Sequence, residues 1–126
     1  MIENEIEYLA KEIVNIAFKI HFSLGPGLLE SVYEVCFCYE LEKRNIAFVS
    51  QKKVPIYYDG LEFREGLRVD ILVDDKIIIE LKAQETYHPV WEAQLLSYLK
   101  LSNMHIGFII NFNVPIIKQG IKRMVL

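Results

Sequence analysis

The 126-residue sequence predicts an α/β domain of the α+β kind, with elements in the order α-α-β-β-β-α-β-β. Three observations carry that prediction. Between residues 3 and 22, Ile6, Leu9, Ile13, Ile16, Ala17 and Ile20 recur at helical spacing and form one apolar stripe. Residues 67 to 83 instead alternate with period two on either side of an acidic pair, Asp74-Asp75. Downstream, His88-Pro89 opens a helical stretch, which is followed by the continuous apolar run HIGFIIN.

Taken in order, the first helix is broken by Gly25-Pro26-Gly27. A second helix is expected from about Leu28 to Arg44. Leu29, Val32, Tyr33, Cys36, Phe37 and Leu41 make it so apolar that it reads as a central helix packed on a sheet. A strand follows from about Ala47 to Tyr58, with a turn at Asp59-Gly60. Leu67 to Val73 and Lys76 to Ala83 then form an antiparallel hairpin. Pro89 is expected at the first position of a helix that ends near Ser102, because its missing N–H has no helical partner there. His105 to Asn111 reads as a buried strand and Ile121 to Leu126 as a short terminal one.

The hairpin carries the most informative residues, Asp70, Glu80 and Lys82, in the stretch RVDILVDDKIIIELKA. One acid lies late on the first strand, and an acid and a base two apart lie on the second. Whether the two acids share a face depends on the turn. A two-residue loop, Asp74-Asp75, sets Asp70 opposite Ile79 and on the other side of the sheet from Glu80. A three-residue loop, Asp74 to Lys76, or a bulge sets it across from Glu80, because a one-residue slip reverses every side chain. An exposed Glu80–Lys82 ion pair is the plainer alternative, and such pairs contribute little. The flanks Ile77, Ile78, Ile79, Leu81 and Ala83 oppose it, since they describe a strand buried on both faces, where charges need partners or a metal. Two further polar pairs fall on single helix faces: Glu30 with Tyr33, three apart, and Gln94 with Tyr98, four apart.

Composition narrows the function classes. At 126 residues, 52% hydrophobic and 25% charged, with no low-complexity tract or repeat, the chain reads as one globular domain spanning 1–126. The acidic, amphipathic start MIENEIEYLAKE matches neither a signal nor a transit peptide, and no stretch approaches membrane-spanning length, so a cytoplasmic protein with no membrane partner is expected. Cys36 and Cys38 lie two apart on a helix and point apart, which opposes a disulfide or shared zinc. His21, His88 and His105 show no ligand spacing. The net charge of −3 argues against a large nucleic-acid footprint, but it is unevenly spread. Residues 1 to 45 hold eight acids and four bases, residues 46 to 126 nine acids and ten bases. A local basic patch could draw on Lys52, Lys53, Arg64, Arg68, Lys118, Lys122 and Arg123.

The run Gly27-Leu28-Leu29-Glu30-Ser31-Val32-Tyr33 matches a GxxExxY signature, and LGPGLLESVYE, Asp70, IIIELKA, AQLLSYLK, IINF and KRMVL follow in the same order as in GxxExxY proteins. Over about residues 5 to 126 the chain resembles that family, and through it the PD-(D/E)xK nuclease superfamily. The resemblance implies a restriction-endonuclease-like fold, a mixed central sheet flanked by helices. It makes Asp70 the motif aspartate, Glu80-Leu81-Lys82 the ExK, Glu30 the helix acid, and Gln94 with Tyr98 a QxxxY element. Val69 stands where many members have a proline that is not a ligand.

The implied activity is metal-dependent hydrolysis of phosphodiester bonds in DNA or RNA. Asp70, Glu80 and Glu30 would bind Mg2+ or Mn2+. Lys82 would orient water and stabilise charge rather than act as a base, because Glu80 beside it opposes a depressed pKa. Gln94 completes the expected catalytic set, and Tyr33 and Tyr98 would position substrate. A homodimer fits a small nuclease core that must embrace a duplex. The alternative is a noncatalytic binding or adaptor module that retains the acidic cluster.

Overall fold

The computed structural model of the chain describes residues 2–126. Its elements are α1 (Ile2–Leu24), α2 (Glu30–Lys43), β1 (Phe48–Tyr58), β2 (Leu61–Val73), β3 (Ile77–Lys82), α3 (Val90–Ser102), β4 (Ile106–Asn111), a 3-10 turn (Ile117–Gly120) and β5 (Ile121–Val125). The order is the expected one. The five strands form one sheet in the order β1-β2-β3-β4-β5. Every neighbouring pair is antiparallel except β3–β4, so the sheet is mixed. The parallel step is the one spanned by α3, since parallel neighbours need a crossover.

Helices cover the sheet on both sides. On one side, Leu9, Ile13, Ile16, Ala17 and Ile20 of α1 join Tyr33, Phe37 and Leu41 of α2 against Ile71, Val73, Ile77, Ile79, Leu81, Phe108 and Ile110. On the other, Trp91, Leu95 and Leu99 of α3 pack on Leu67, Val69, Leu72, Ile78 and Ile109. Strands β3 and β4 are therefore buried on both faces, which explains their unbroken apolar runs. The first helix ends where Gly25 and Gly27 take left-handed backbone, at φ 72° and 95°.

The second helix departs from expectation. It starts at Glu30 and ends at Lys43, inside the expected bounds, and it is not central. Tyr33, Phe37, Glu40 and Leu41 are buried, but Val35 and Tyr39 on the opposite face are 70% and 59% exposed. Its apolar content thus exceeds what one packed face requires. Glu40 enters the buried face because Lys19, Lys43 and Arg44 surround it, and Arg44 is also paired with Glu12.

The β2–β3 turn settles the register. Val73 pairs with Ile77, Leu72 with Ile78 and Ile71 with Ile79, leaving the three-residue loop Asp74 to Lys76. Asp74 and Asp75 both adopt left-handed backbone, at φ 50° and 53°, which aspartate tolerates better than most residues. Continued one step, this register brings Asp70 opposite Glu80. Only Ile71 to Val73 of β2 pair with β3, so the distal half of the β1–β2 hairpin stands as two strands.

A second irregularity lies at the same level. Phe48 packs with the α1/α2 core, whereas Val54 and Ile56 of the same strand, at even spacing from it, pack with the α3 core. Strand β2 behaves alike: Ile71 and Val73 face α1/α2, Leu67 and Val69 face α3. Both strands therefore exchange faces between Ser50 and Lys52 and between Val69 and Ile71, where the ladder skips Gln51 and Asp70. Gln51 sits at φ 55°, and this left-handed residue turns the strand over.

Candidate active site

The exchange of faces leaves Asp70 at a point where β2 and β3 have stopped pairing. Backbone groups freed there need partners. The Asp70 N–H donates to Glu80 Oε2 at 2.8 Å, and the Leu81 N–H donates to Asp70 Oδ2 at 2.8 Å. Each carboxylate thus takes the place a ladder carbonyl would fill on the opposing strand. One oxygen of each acid is anchored in this way, which aims both acids into the gap between the strands.

Lys82 follows on the same face of β3 as Glu80. Its Nζ lies over the indole of Trp91, 5.4 Å from the ring centroid. Trp91 is buried and is held edge-on by Tyr87 and His88, at 5.1 and 5.4 Å between ring centroids. Just after Lys82 the chain is clasped by buried Asn111, whose Nδ2 donates to the Gln84 carbonyl and whose Oδ1 accepts the Gln84 and Asn113 N–H groups. Both supports lie outside the sequence-derived set. Trp91 is one turn from Gln94, but the sequence carries no signal that its ring meets Lys82.

The electrostatics follow from crowding acids in a partly dry gap. Burial is the largest influence on Glu80 and, with the charge of Asp70, pushes its carboxyl up to about 8, against the Asp70 N–H and the Lys82 ammonium. Burial also raises Asp70; the Leu81 N–H opposes, Glu34 adds to the rise, and Lys82 and the Gln51 amide oppose. Glu30, the first residue of α2, is raised by partial desolvation of its carboxyl and by Asp70, with Lys82 opposing. On α3, Gln94 Nε2 donates to the Tyr98 hydroxyl at 3.0 Å. Burial and then the charges of Glu80 and Asp70 raise the Tyr98 phenol. Asp70, Glu80 and Lys82 therefore stand together at the β2–β3 gap, Glu30 and Tyr98 are near enough to feel those charges, and Gln94 joins them only through the Tyr98 hydroxyl.

Tyr33 does not belong to that cleft, and its expected contact with substrate is corrected. Its side chain has no exposed surface and stacks on Phe112, with 4.4 Å between centroids and 3° between planes. Its hydroxyl donates to the Gly25 carbonyl at 2.7 Å and accepts the Leu28 N–H at 3.1 Å. Tyr33 ties down the Gly25-Pro26-Gly27 loop and so fixes where α2 begins, three residues before it, at Glu30.

Two residues in the cleft were not read from the sequence. Glu34 lies four after Glu30 and hence on the same helix face, a spacing that was available. Gln51, on β1, carried no signal. The donor set suits a hard divalent cation: Asp70 and Glu80 each keep one oxygen free of backbone bonds, and the buried negative charge is only partly offset by Lys82. Among the described residues no three His, Cys, Asp or Glu side chains converge closely enough to enclose an ion. Waters would have to complete the shell, as is usual for Mg2+.

A family model described as the PD-(D/E)XK nuclease superfamily matches residues 7–124. No curated protein and no solved structure matches the chain. No helix among the described residues is long and apolar enough to cross a membrane.

Proposed function

Because the chain belongs to the PD-(D/E)XK nuclease superfamily, we propose that it is a metal-dependent nuclease that hydrolyses phosphodiester bonds of DNA or RNA. The observation that carries this reading is the splayed β2–β3 gap, where Asp70 and Glu80 are each anchored by the other strand's backbone with Lys82 alongside. Asp70, Glu80 and Glu30 would hold Mg2+ or Mn2+. When bound, the ion polarises the phosphate and lowers the pKa of water at the site.

The chain's own groups supply the rest. Lys82, steadied by the Trp91 ring, presents its ammonium to the developing negative charge and orients the attacking water. Gln94 contacts the phosphodiester backbone, and the Tyr98 hydroxyl, which accepts its amide hydrogen, sets its direction. The same proposal takes the chain as a single cytoplasmic domain and, for a duplex substrate, as a homodimer.

The test is cleavage of labelled single- and double-stranded DNA and RNA with Mg2+ or Mn2+, beside EDTA and folded Glu80→Ala and Lys82→Ala variants. Cleavage by the intact protein that is lost in all three controls supports the reading. Absence of cleavage at equimolar enzyme, with Mn2+ still bound, would make the chain a noncatalytic module of the same fold.

A further inference from the structure

Resting on the nuclease reading of this cleft, we infer that Glu34 and Gln51 form a positioning clasp that sets the geometry of Asp70, and through it the cation affinity of the site. Three observations converge on these residues. The first is backbone shape: Gln51 is a non-glycine residue at φ 55° in the middle of a strand, a conformation that persists only where its surroundings enforce it. The second is what enforces it. The Glu34 carboxylate accepts the Gln51 amide on both oxygens, at 2.8 Å each, and the Ser50 hydroxyl at 3.0 Å. A helix side chain thus grips two consecutive residues of β1 at the turn-over point.

The third is position. Gln51 is the β1 residue opposite Asp70, in the step that the β1–β2 ladder skips. If Gln51 relaxed to extended backbone, β1 would keep its faces, and β2, paired with it in one register on both sides of the gap, would be drawn into regular alternation. The Asp70 carboxylate would then leave the Leu81 N–H. Gln51 thus stands between the Glu34 carboxylate, to which its amide donates, and the strand position of Asp70 opposite it. Since Glu30 and Glu34 are one turn apart on α2, the clasp also holds the helix acid at a set distance from the strand acids. Glu34 acts here through Gln51 and is a positioning residue, not a ligand.

The test uses the intact chain and two readouts, Mn2+ affinity by calorimetry and amide exchange at Leu81 in the metal-free protein. Glu34→Ala and Gln51→Ala should weaken Mn2+ binding by roughly 10- to 100-fold, the usual range for groups that orient a metal ligand. They should also speed Leu81 exchange at least tenfold by roughly the same opening argument, while the helical circular dichroism stays that of the parent. Glu34→Gln keeps an oxygen for the Gln51 amide and should stay near the parent on both readouts. Equal loss in Glu34→Gln and Glu34→Ala would make Glu34 a direct ligand and overturn the inference, as would parental values in Glu34→Ala. If the parent binds no Mn2+, the cation reading of the cleft fails by itself. The clasp then stands or falls on Leu81 exchange.

Discussion

Replacing Glu80 by Gln is expected to stabilise the metal-free protein, and to do so only above about pH 5. Burial and Asp70 push the Glu80 carboxyl from 4.5 up to about 8. A carboxyl whose folded pKa is raised favours the folded state below its unfolded value, and that advantage is lost as pH rises toward the folded value. At pH 7 the interval above 4.5 is about 2.5 units, or roughly 3 kcal/mol at 1.36 kcal/mol per unit. Because the proton is shared with Asp70, about half of that, on the order of 1–2 kcal/mol, belongs to the single substitution. The amide keeps the geometry: its oxygen accepts the Asp70 N–H as Glu80 Oε2 does at 2.8 Å. For a chain of this length the gain corresponds to roughly 5 °C in Tm. Thermal melts in EDTA at pH 5, 6, 7 and 8 check it. The expected pattern is coincident melts at pH 5, a gap that widens with pH, and Mn2+ stabilisation of the parent but not of Glu80→Gln. A variant that melts at or below the parent at pH 8, or gains equally at pH 5, would refute the account of a strained acid pair.

Two further perturbations probe the frame around the site. Burial raises the Glu40 carboxyl, but hydrogen bonds from Arg44 and Lys19 and the charges of Lys19 and Lys43 outweigh it and hold the group at about 2. That depressed value contributes stability above about pH 4.5 that is lost as pH falls toward 2. With Lys19 and Lys43 about half exposed, the contribution is discounted to roughly 1–2 kcal/mol. Glu40→Gln should lower the unfolding free energy from urea melts at pH 7 by that amount and converge with the parent near pH 2. Tyr33→Phe keeps the stack on Phe112 but leaves the Gly25 carbonyl and the Leu28 N–H without their partner. It should cost about 1–3 kcal/mol and raise amide exchange at Leu28, both read by hydrogen-exchange mass spectrometry and denaturation.

Much of the site was legible in the chain because the relevant signals are local. A stripe from Ile6 to Ile20, alternation through RVDILVDDKIIIELKA and a proline before Val90 are consequences of backbone period and of proline's missing N–H. They hold whatever the element packs against. The same locality made Asp70, Glu80 and Lys82 visible, since acids and a base inside a doubly buried strand are out of place without a reason. The two loop lengths weighed for Asp74-Asp75 could not be separated in this way. The three-residue loop, with both aspartates left-handed, depends on which register buries Ile77 and Ile79 against α1 and α2.

Local pattern along the chain is enough to set the elements, their order and the chemistry available on β2, β3 and α3. The tertiary structure decided which faces meet. Hydrophobic pattern states that a surface needs covering but not what covers it, so α2 read as central although Val35 and Tyr39 look outward. The three-residue spacing from Glu30 likewise drew Tyr33 toward substrate, when the ring is walled in by Phe112 and the hydroxyl serves the Gly25–Leu28 loop. The turn-over of β1 and β2 at Gln51 and Asp70 has no local code at all. A glutamine is driven into left-handed backbone only because Glu34, 17 residues earlier, reaches across from a helix to hold it.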